Sequence, residues 1–386
     1  MAKNSIVELG PPNLGQAEKD ALCEVIESGW ITMGDRVKAF ESAFSDMHDV
    51  ENAVAVSSAT AALHLSLVAL GIGPRDEVLV PSMTFVATVN TVMHAGATPV
   101  MVDIESVTRP HMSLADAETK LTERSRAVVI MHYGGYMMDL SAWRDFADKH
   151  GLFLIEDAAH AAGIADTARS SDAAAFSFFA NKNMTTAEGG MVLLRDADLA
   201  DRVRTLRSHG MTSGTLDRVR GRAVGYDVVG CGYNYRIDEL RAALGLVQLD
   251  RLQDWNAQRV KIIDDYRMTL AATTPAVATL FDDDHVTSGH IMPVLLPAQA
   301  DRTDVMARLK AEFIQSSVHY PPVHRFSYFA DMLGEIALPH TDAFGARQLT
   351  LPLHPGLNHD DVVRVVKALK HALPDRCEAV SRPEED

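Results

Sequence analysis

A chain of 386 residues with 47% hydrophobic and 23% charged side chains has the volume for roughly two or three packed domains and the usage of a globular protein, which excludes stapled miniproteins, disordered chains and fibrous repeats. Its 36 basic and 52 acidic residues leave a formal charge of −16, which repels phosphate backbones and argues against a nucleic-acid partner. No apolar run reaches the roughly eighteen residues of a membrane span and the start lacks a basic-then-apolar leader, so no membrane partner and a cytoplasmic location are expected.

Ala53-Val54-Ala55-Val56-Ser57 predicts a buried strand, and leucines at 63, 67 and 70 predict a helix over 60–70. A strand at 78–80, a helix over 84–94, a strand at 99–103 and a helix over 113–121 follow. The runs 127–132 and 153–156 predict two more strands flanking a helix at 141–150. Short, continuously apolar strands alternating with helices imply a parallel sheet covered on both faces, an α/β sandwich. Beyond Asp172 only a polar turn separates the strand patterns 173–179 and 190–194. That connection is too short for a crossover helix, so the two are expected to be a hairpin or near neighbours in a mixed sheet. A long helix from 238 to 270 then leads to a strand at 291–295 and helices over 301–311 and 360–373. The domain boundary is placed near 250, giving a large domain over 1–250, with the N-terminal segment, and a small C-terminal domain over 251–386. The polar tail from Asp375 is expected to fray.

The chemistry concentrates between Leu154 and Gly190, in L-I-E-D-A-A-H-A-A-G (154–163) and A-F-S-F-F-A-N-K-N-M-T-T-A-E-G-G (175–190). Asp157 ends an apolar strand, at the edge where open α/β sheets place ligands, and Lys182 follows a second apolar strand in a polar turn. An amine and a carboxylate at one sheet edge suit carbonyl chemistry. The amine forms an imine with an aldehyde, and the acid keeps a pyridinium nitrogen protonated so that the ring draws electrons. Ser58-Ala59-Thr60 lies between a strand and a helix, so the amides of Ala59 and Thr60 face an anion from the helix's positive end. Taken singly, Lys182 reads as a solvated turn lysine, Thr60 as a helix cap, Phe85 as core and His160 as a satisfied helix histidine.

Taken together, the motifs resemble the fold-type-I pyridoxal-phosphate (PLP) enzymes, and within them the nucleotide-sugar aminotransferases of the DegT/DnrJ/EryC1/StrS family. The matching stretches are S-S-A-T-A-A-L-H-L (57–65), D-E-V-L-V-P-S-M-T-F-V-A-T (76–88), E-D-A-A-H-A (156–161), F-S-F-F-A-N-K-N-M-T-T-A-E-G-G-M-V (176–192), L-R-S-H-G (206–210), G-Y-N-Y-R-I-D-E-L-R-A-A-L-G-L-V-Q-L (232–249) and H-Y-P-P-V-H (319–324). The resemblance implies a large domain with a mostly parallel central sheet flanked by helices plus a smaller α/β domain, with pyridoxal 5′-phosphate as cofactor. By position it makes Lys182 the lysine that condenses with the cofactor aldehyde and Asp157 the partner of the pyridine nitrogen. It further implies Phe85 against the cofactor ring, His160 near its phenolic oxygen, and Ala59, Thr60 and Ser177 on its phosphate. Asn234 would reach that phosphate from a neighbouring subunit, hence a homodimer with shared sites. Trp30, Tyr320 and His324 resemble substrate-side residues, and Arg207 and Arg236 could meet a diphosphate. Alanine stands at 59 and 187, where many members carry glycine.

The implied reaction moves an amino group, with L-glutamate as donor, onto a nucleotide-linked keto-deoxysugar. G-Y-N-Y-R resembles members acting at C4 of a thymidine-diphosphate 4-keto-6-deoxyhexose. A 3-keto sugar or keto-inositol substrate stays open. A PLP-dependent dehydratase, in which the lysine is replaced, and a noncatalytic binding protein both fit poorly with retention of Lys182 and Asp157. Gly71-Ile72-Gly73-Pro74 follows a helix and is a turn rather than a dinucleotide fingerprint. No HExxH and no Cys/His spacing points to a metal. Cys23, Cys231 and Cys377, far apart and without CxxC, suit a reducing compartment and are expected at buried packing positions.

Overall fold

The short apolar runs pair into a seven-stranded sheet in the computed structural model, which describes residues 5–282 and 286–374. Its strands are β1 (Asn52–Val56), β2 (Glu77–Pro81), β3 (Thr98–Val102), β4 (Ser125–Met131), β5 (Phe153–Asp157), β6 (Ala173–Ser177) and β7 (Gly190–Leu194), in the spatial order β1-β7-β6-β5-β4-β2-β3. Neighbours from β6 to β3 pair in parallel, and β7 runs antiparallel to both β6 and β1. The sheet is therefore mixed, and the strand patterns at 173–179 and 190–194 are direct neighbours. A second, antiparallel sheet holds β8 (Ala278–Thr279), β9 (Met292–Leu295) and β10 (Gln348–Leu351) in the order β10-β9-β8. The protein is thus an α/β fold with a mostly parallel central sheet.

Helices α1 (Gln16–Ser28), α2 (Asp35–His48), α3 (Ala59–Ala69), α4 (Val86–His94), α5 (Leu114–Thr119), α6 (Leu140–His150), α7 (Ala197–Arg207), α8 (Thr215–Val219) and α9 (Glu239–Thr273) accompany the large sheet. Alternation along each strand feeds two cores, because successive side chains leave opposite faces. Val54, Val56, Ala127, Val129 and Ile155 pack under α3, α4 and α7. On the opposite face Ala53 and Ala55 meet α2 and α9, and Val128, Ile130 and Leu154 meet α6. The first two helices, α1 and α2, are elements that the sequence reading did not assign.

Helix α9 joins the two parts of the molecule. Leu249 and Leu252 pack under the large sheet, whereas Ile263, Tyr266 and Leu270 enter a core built with β9, β10, α10 (Arg302–Ala311) and the last helix. Of the three helices that follow α10, α11 (Ser327–Leu333) sends Phe329 into the core under α3 and α4, α12 (Pro339–Arg347) packs Phe344 beside Tyr133 and Leu295, and α13 (His359–Ala372) is that last helix. Val7 belongs to that second core and its amide donates to Phe313 O at 2.9 Å. The first described residues therefore pack with the C-terminal sheet rather than with the large domain in which 1–250 placed them. Cys23 and Cys231 are exposed, contrary to the expected packing role, and Cys377 and the tail from Asp375 lie outside the described residues. Among the described residues no helix is long and apolar enough to cross a membrane.

Where α9 crosses α2 the fit is tight. A Cβ added to Gly245 would lie 2.7 Å from Phe40 Cζ, and Phe40 is boxed in by Phe44 and Phe178 at ring distances of 6.2 and 5.3 Å. Gly245→Ala gains about 1 kcal/mol of helix propensity but overpacks a core that has no slack, at a cost of roughly 1–3 kcal/mol. Net destabilisation is expected. Urea denaturation checks it, and a variant as stable as the parent would show that Phe40 yields.

Candidate active site

Strand direction places the chemistry. β1, β2, β5 and β6 end at one edge of the large sheet and antiparallel β7 begins there. The segments that follow or precede those ends line a cavity of about 490 Å3 closed on its other side by Ser317–Tyr320. Into it the fold brings Ala59 and Thr60, Phe85, Asp157, His160, Ser177, Lys182 and Tyr320.

Asp157 is 4% exposed at the cavity floor. Thr88 Oγ1 donates to its Oδ2 at 2.6 Å and the Ala159 amide to its Oδ1 at 3.1 Å, so both oxygens are fixed. Burial raises its pKa, opposed by those two donors and then by the charges of Lys182 and His132. A buried carboxylate of this kind lacks a full countercharge. It is suited to a cation brought in by a ligand. Thr88 itself went unnoticed in the sequence, although it stands one helical turn beyond Thr84, whose hydroxyl is 2.8 Å from its own.

Lys182 lies in the turn between β6 and β7, where its amide donates to Phe179 O at 3.0 Å. Burial lowers its pKa to about 8, against the pull of Asp157. A depressed lysine weakens the fold at neutral pH. Below pH 8 folded and unfolded chains both hold the proton and the folded one bears the desolvation cost; between pH 8 and 10.5 only the unfolded chain holds it, so stability rises with pH. In cofactor-free protein Lys182→Met is therefore expected to be more stable than the parent at pH 7 by up to about 3 kcal/mol. The gap should narrow toward pH 10 in urea melts. A gap independent of pH would mean that the amine is not desolvated.

The anion cradle follows from the start of α3. Ser58 caps the helix, its Oγ accepting the Ala61 amide at 3.1 Å, which leaves the first-turn amides of Ala59 and Thr60 for a ligand. Gly190 makes the cradle possible, since a Cβ there would lie 2.5 Å from Ser58 C and 2.7 Å from Ala59 N. Ala59 sits within the helix and needs no special conformation, whereas Ala187 takes φ +66°, a left-handed position that favours glycine.

Above the floor the hydrogen bonds settle two protons. The Gly134 amide donates to His160 Nδ1 at 3.2 Å, so Nε2 carries the proton and donates to Tyr320 Oη at 2.9 Å. Burial first, and then nearby charges led by Lys182, keep His160 neutral. Burial and the charge of Asp157 raise the Tyr320 phenol, so its own proton is free to serve the cavity. Phe85, 53% exposed, presents its ring at the mouth, 5.6 Å from that of Tyr320. A carboxylate floor, a low-pKa amine, unpaired helix amides beside the Ser177 hydroxyl and an exposed aromatic face together fit a phosphorylated pyridine aldehyde.

Five sequence-selected residues do not line this chain's cavity. Asn234 is exposed on the segment before α9, bridged to Ser208. Trp30 lays its indole against Gly34, where a Cβ would lie 2.6 Å from Trp30 Nε1, and Glu239 caps α2 there through the Gly34 and Val37 amides at 2.8 and 3.0 Å. His324 is 3% exposed, with Nδ1 2.7 Å from Ser82 Oγ and Nε2 3.1 Å from Asp342 Oδ1. Arg207 is buried against Glu41 and Ala55 O, at 2.6 and 2.7 Å. Arg236 is half-buried, with Nη1 lacking a hydrogen-bond partner. Among the described residues no cluster of His, Cys, Asp or Glu could hold a metal.

The model of the DegT/DnrJ/EryC1/StrS aminotransferase family matches residues 12–370. Among solved structures, the PLP form of Spr1654 from Streptococcus pneumoniae shares 30% identity over 95% of this chain and 98% of its own, with a TM-score of 0.87. DesV from S. venezuelae shares 33% over 94% and 95%, with a TM-score of 0.85. DesI, solved in the presence of its TDP-sugar product, shares 31% over 95% and 93%, also at 0.85.

Proposed function

Because the chain belongs to the DegT/DnrJ/EryC1/StrS aminotransferase family, we propose that it is a PLP-dependent sugar aminotransferase whose acceptor is a thymidine-diphosphate 4-keto-6-deoxyhexose and whose donor is L-glutamate. The observation that carries this is the convergence of Lys182, Asp157 and the free amides of α3 on one cavity. When bound, the cofactor supplies an aldehyde for the lysine amine and a pyridine ring that accepts electrons from the substrate carbon. Asp157 would stabilise a positive pyridine nitrogen, while Ala59, Thr60 and Ser177 would hold the phosphate and Phe85 would shield the ring from water. Lys182 Nζ would bind the aldehyde and, as an amine of lowered pKa, is placed to take a proton from the donor's α-carbon. Tyr320, kept protonated with His160 donating to its oxygen, offers a hydrogen bond to the sugar side. The C4 preference rests on G-Y-N-Y-R (232–236), and the TDP-sugar product in whose presence DesI was solved supports the nucleotide. A cytoplasmic setting accords with thiols that form no paired motif.

Adding L-glutamate to the yellow holoprotein is expected to convert its visible band to the near-ultraviolet band of the aminated cofactor; no change with any amino donor would sink the transaminase assignment. A panel of 3-keto and 4-keto nucleotide sugars with scyllo-inosose then identifies the acceptor.

The same reading makes the active unit a homodimer. Asn234 does not line its own cavity, and exposed Val224, Val228 and Val229 lie on the segment that carries it, as a surface buried by a second copy would require. Mixing Lys182→Ala with Asn234→Ala chains should restore activity, since a mixed dimer contains one site built from intact contributors. Silent mixtures in which mixed dimers are demonstrated would refute sharing.

A further inference from the structure

Lys182 has a neighbour whose side chain goes the other way. Asn183 is 5% exposed and uses its whole carboxamide: Nδ2 donates to Asn256 Oδ1 at 2.7 Å and to Ser288 O at 2.8 Å, and Oδ1 lies 2.9 Å from His290 Nδ1. Ser288 O can only accept, which fixes the amide's orientation and places the proton of His290 on Nδ1. Asn256 is held in turn, its Nδ2 donating to Ala162 O at 2.9 Å and pressed so closely on Gly163 that an added Cβ there would lie 2.8 Å away. Asn183's three partners come from α9 (Asn256) and from the stretch just before β9 (Ser288 and His290), and Asn256 is braced in turn by the Ala162–Gly163 backbone after β5. Separate parts of the fold thus meet at the residue next to the lysine.

We propose that Asn183, oriented by His290 and Asn256, is a positioning residue that sets where the Lys182 amine stands in the cavity. The inference rests on Lys182 being the reactive amine. Nothing in the reaction needs Asn183 to touch substrate. Its turn is pinned at other points as well, by Thr185 Oγ1 to Phe178 O at 3.1 Å and by the Thr185 amide to Gln248 Oε1 at 3.2 Å, so the fold does not depend on this carboxamide to close the turn. What Asn183 adds is a fixed backbone immediately beside Lys182, and displacement of a reacting group by about 1 Å costs up to about a hundredfold in rate. The His290 ring also lies 4.2 Å from that of His160, so hydrogen bonding and ring packing must be separated in the test.

Two substitutions do so. His290→Phe keeps a ring against His160 and removes the Nδ1 proton; His290→Asn loses the ring and keeps an N–H for Asn183 Oδ1. Both are assayed as PLP-loaded full-length protein, by the pH midpoint of the visible cofactor band, by kcat and KM for the amino donor, and by thermal melting. The groups facing Lys182 that could also move this midpoint are Asp157, His160, His290, His319 and Tyr320, of which only position 290 is altered. Expected is a shift of the midpoint by about one pH unit and a loss of about tenfold or more in kcat for the Phe variant, with donor KM within about twofold, and recovery to within about threefold in the Asn variant. A Phe variant with parental midpoint and kcat, or equal losses in both variants, overturns the proposal. If the Phe variant does not fold, Asn256→Ala removes an acceptor of Asn183 from the far side; the same shift supports positioning and an unmoved midpoint refutes it. If the parent protein shows no PLP band at all, the cofactor assignment has failed instead.

Discussion

Lys182→Ala is expected to lower turnover by at least about a thousandfold, the scale on which a positioned proton-transfer group contributes, while leaving the fold intact or firmer. The chain offers no substitute. His160 also lines the cavity, but its Nδ1 takes the Gly134 amide and its Nε2 proton is committed to Tyr320. The hydroxyl of Tyr320 is held protonated by burial and by Asp157. Neither can replace an amine whose pKa of about 8 leaves an appreciable neutral fraction at physiological pH. Steady-state rates with L-glutamate and the preferred keto sugar provide the measurement, and borohydride reduction followed by peptide mapping the control. A variant retaining a tenth of parental activity, or a pyridoxyl label on another residue, would remove Lys182 from the mechanism.

Asp157→Asn is expected to cost about a hundredfold to a thousandfold in kcat/KM, the range seen when a preorganised electrostatic partner is removed. The substitution is nearly isosteric. One amide oxygen can still accept from Ala159, and Thr88, which touches Thr84 on its other side, can reverse its hydroxyl to accept from the new NH2. What disappears is the negative charge at a site too buried for water to replace it. A loss confined to KM would instead assign Asp157 to binding alone. Equal performance of the two proteins would show that the cavity floor does not need a charge.

Much of this site was readable because the fold obeys rules local in sequence. Asp157 and Lys182 each follow an apolar strand, and a parallel sheet carries strand ends to one edge, so two residues far apart along the chain could be placed together without coordinates. The anion cradle is a strand-to-helix junction, equally local. Long-range partners were not readable. His290 meets Asn183, and Ser317–Tyr320 cover the cavity, through the docking of the C-terminal sheet, which no periodicity encodes. Helices α1 and α2 were passed over although Val37, Phe40 and Phe44 recur at helical spacing; glycines at 29 and 34 interrupt the pattern. Val7 illustrates the opposite limit, since a short β-type residue near the start can join either sheet and only packing decides.

The reversed strand has a further consequence. Because β7 returns along β6, the loop that carries Lys182 leaves and re-enters the framework at the same rim, stitched at both ends by the pairs Ser177 with Gly190 and Phe176 with Met191. A slip of one pair would turn Met191 outward from its core and drag the amine about 3.3 Å along the rim. The alternation of Val192 and Leu194 against Met191 and Leu193, each set committed to a different hydrophobic layer, thus acts as the ruler that calibrates the position of the Lys182 amine.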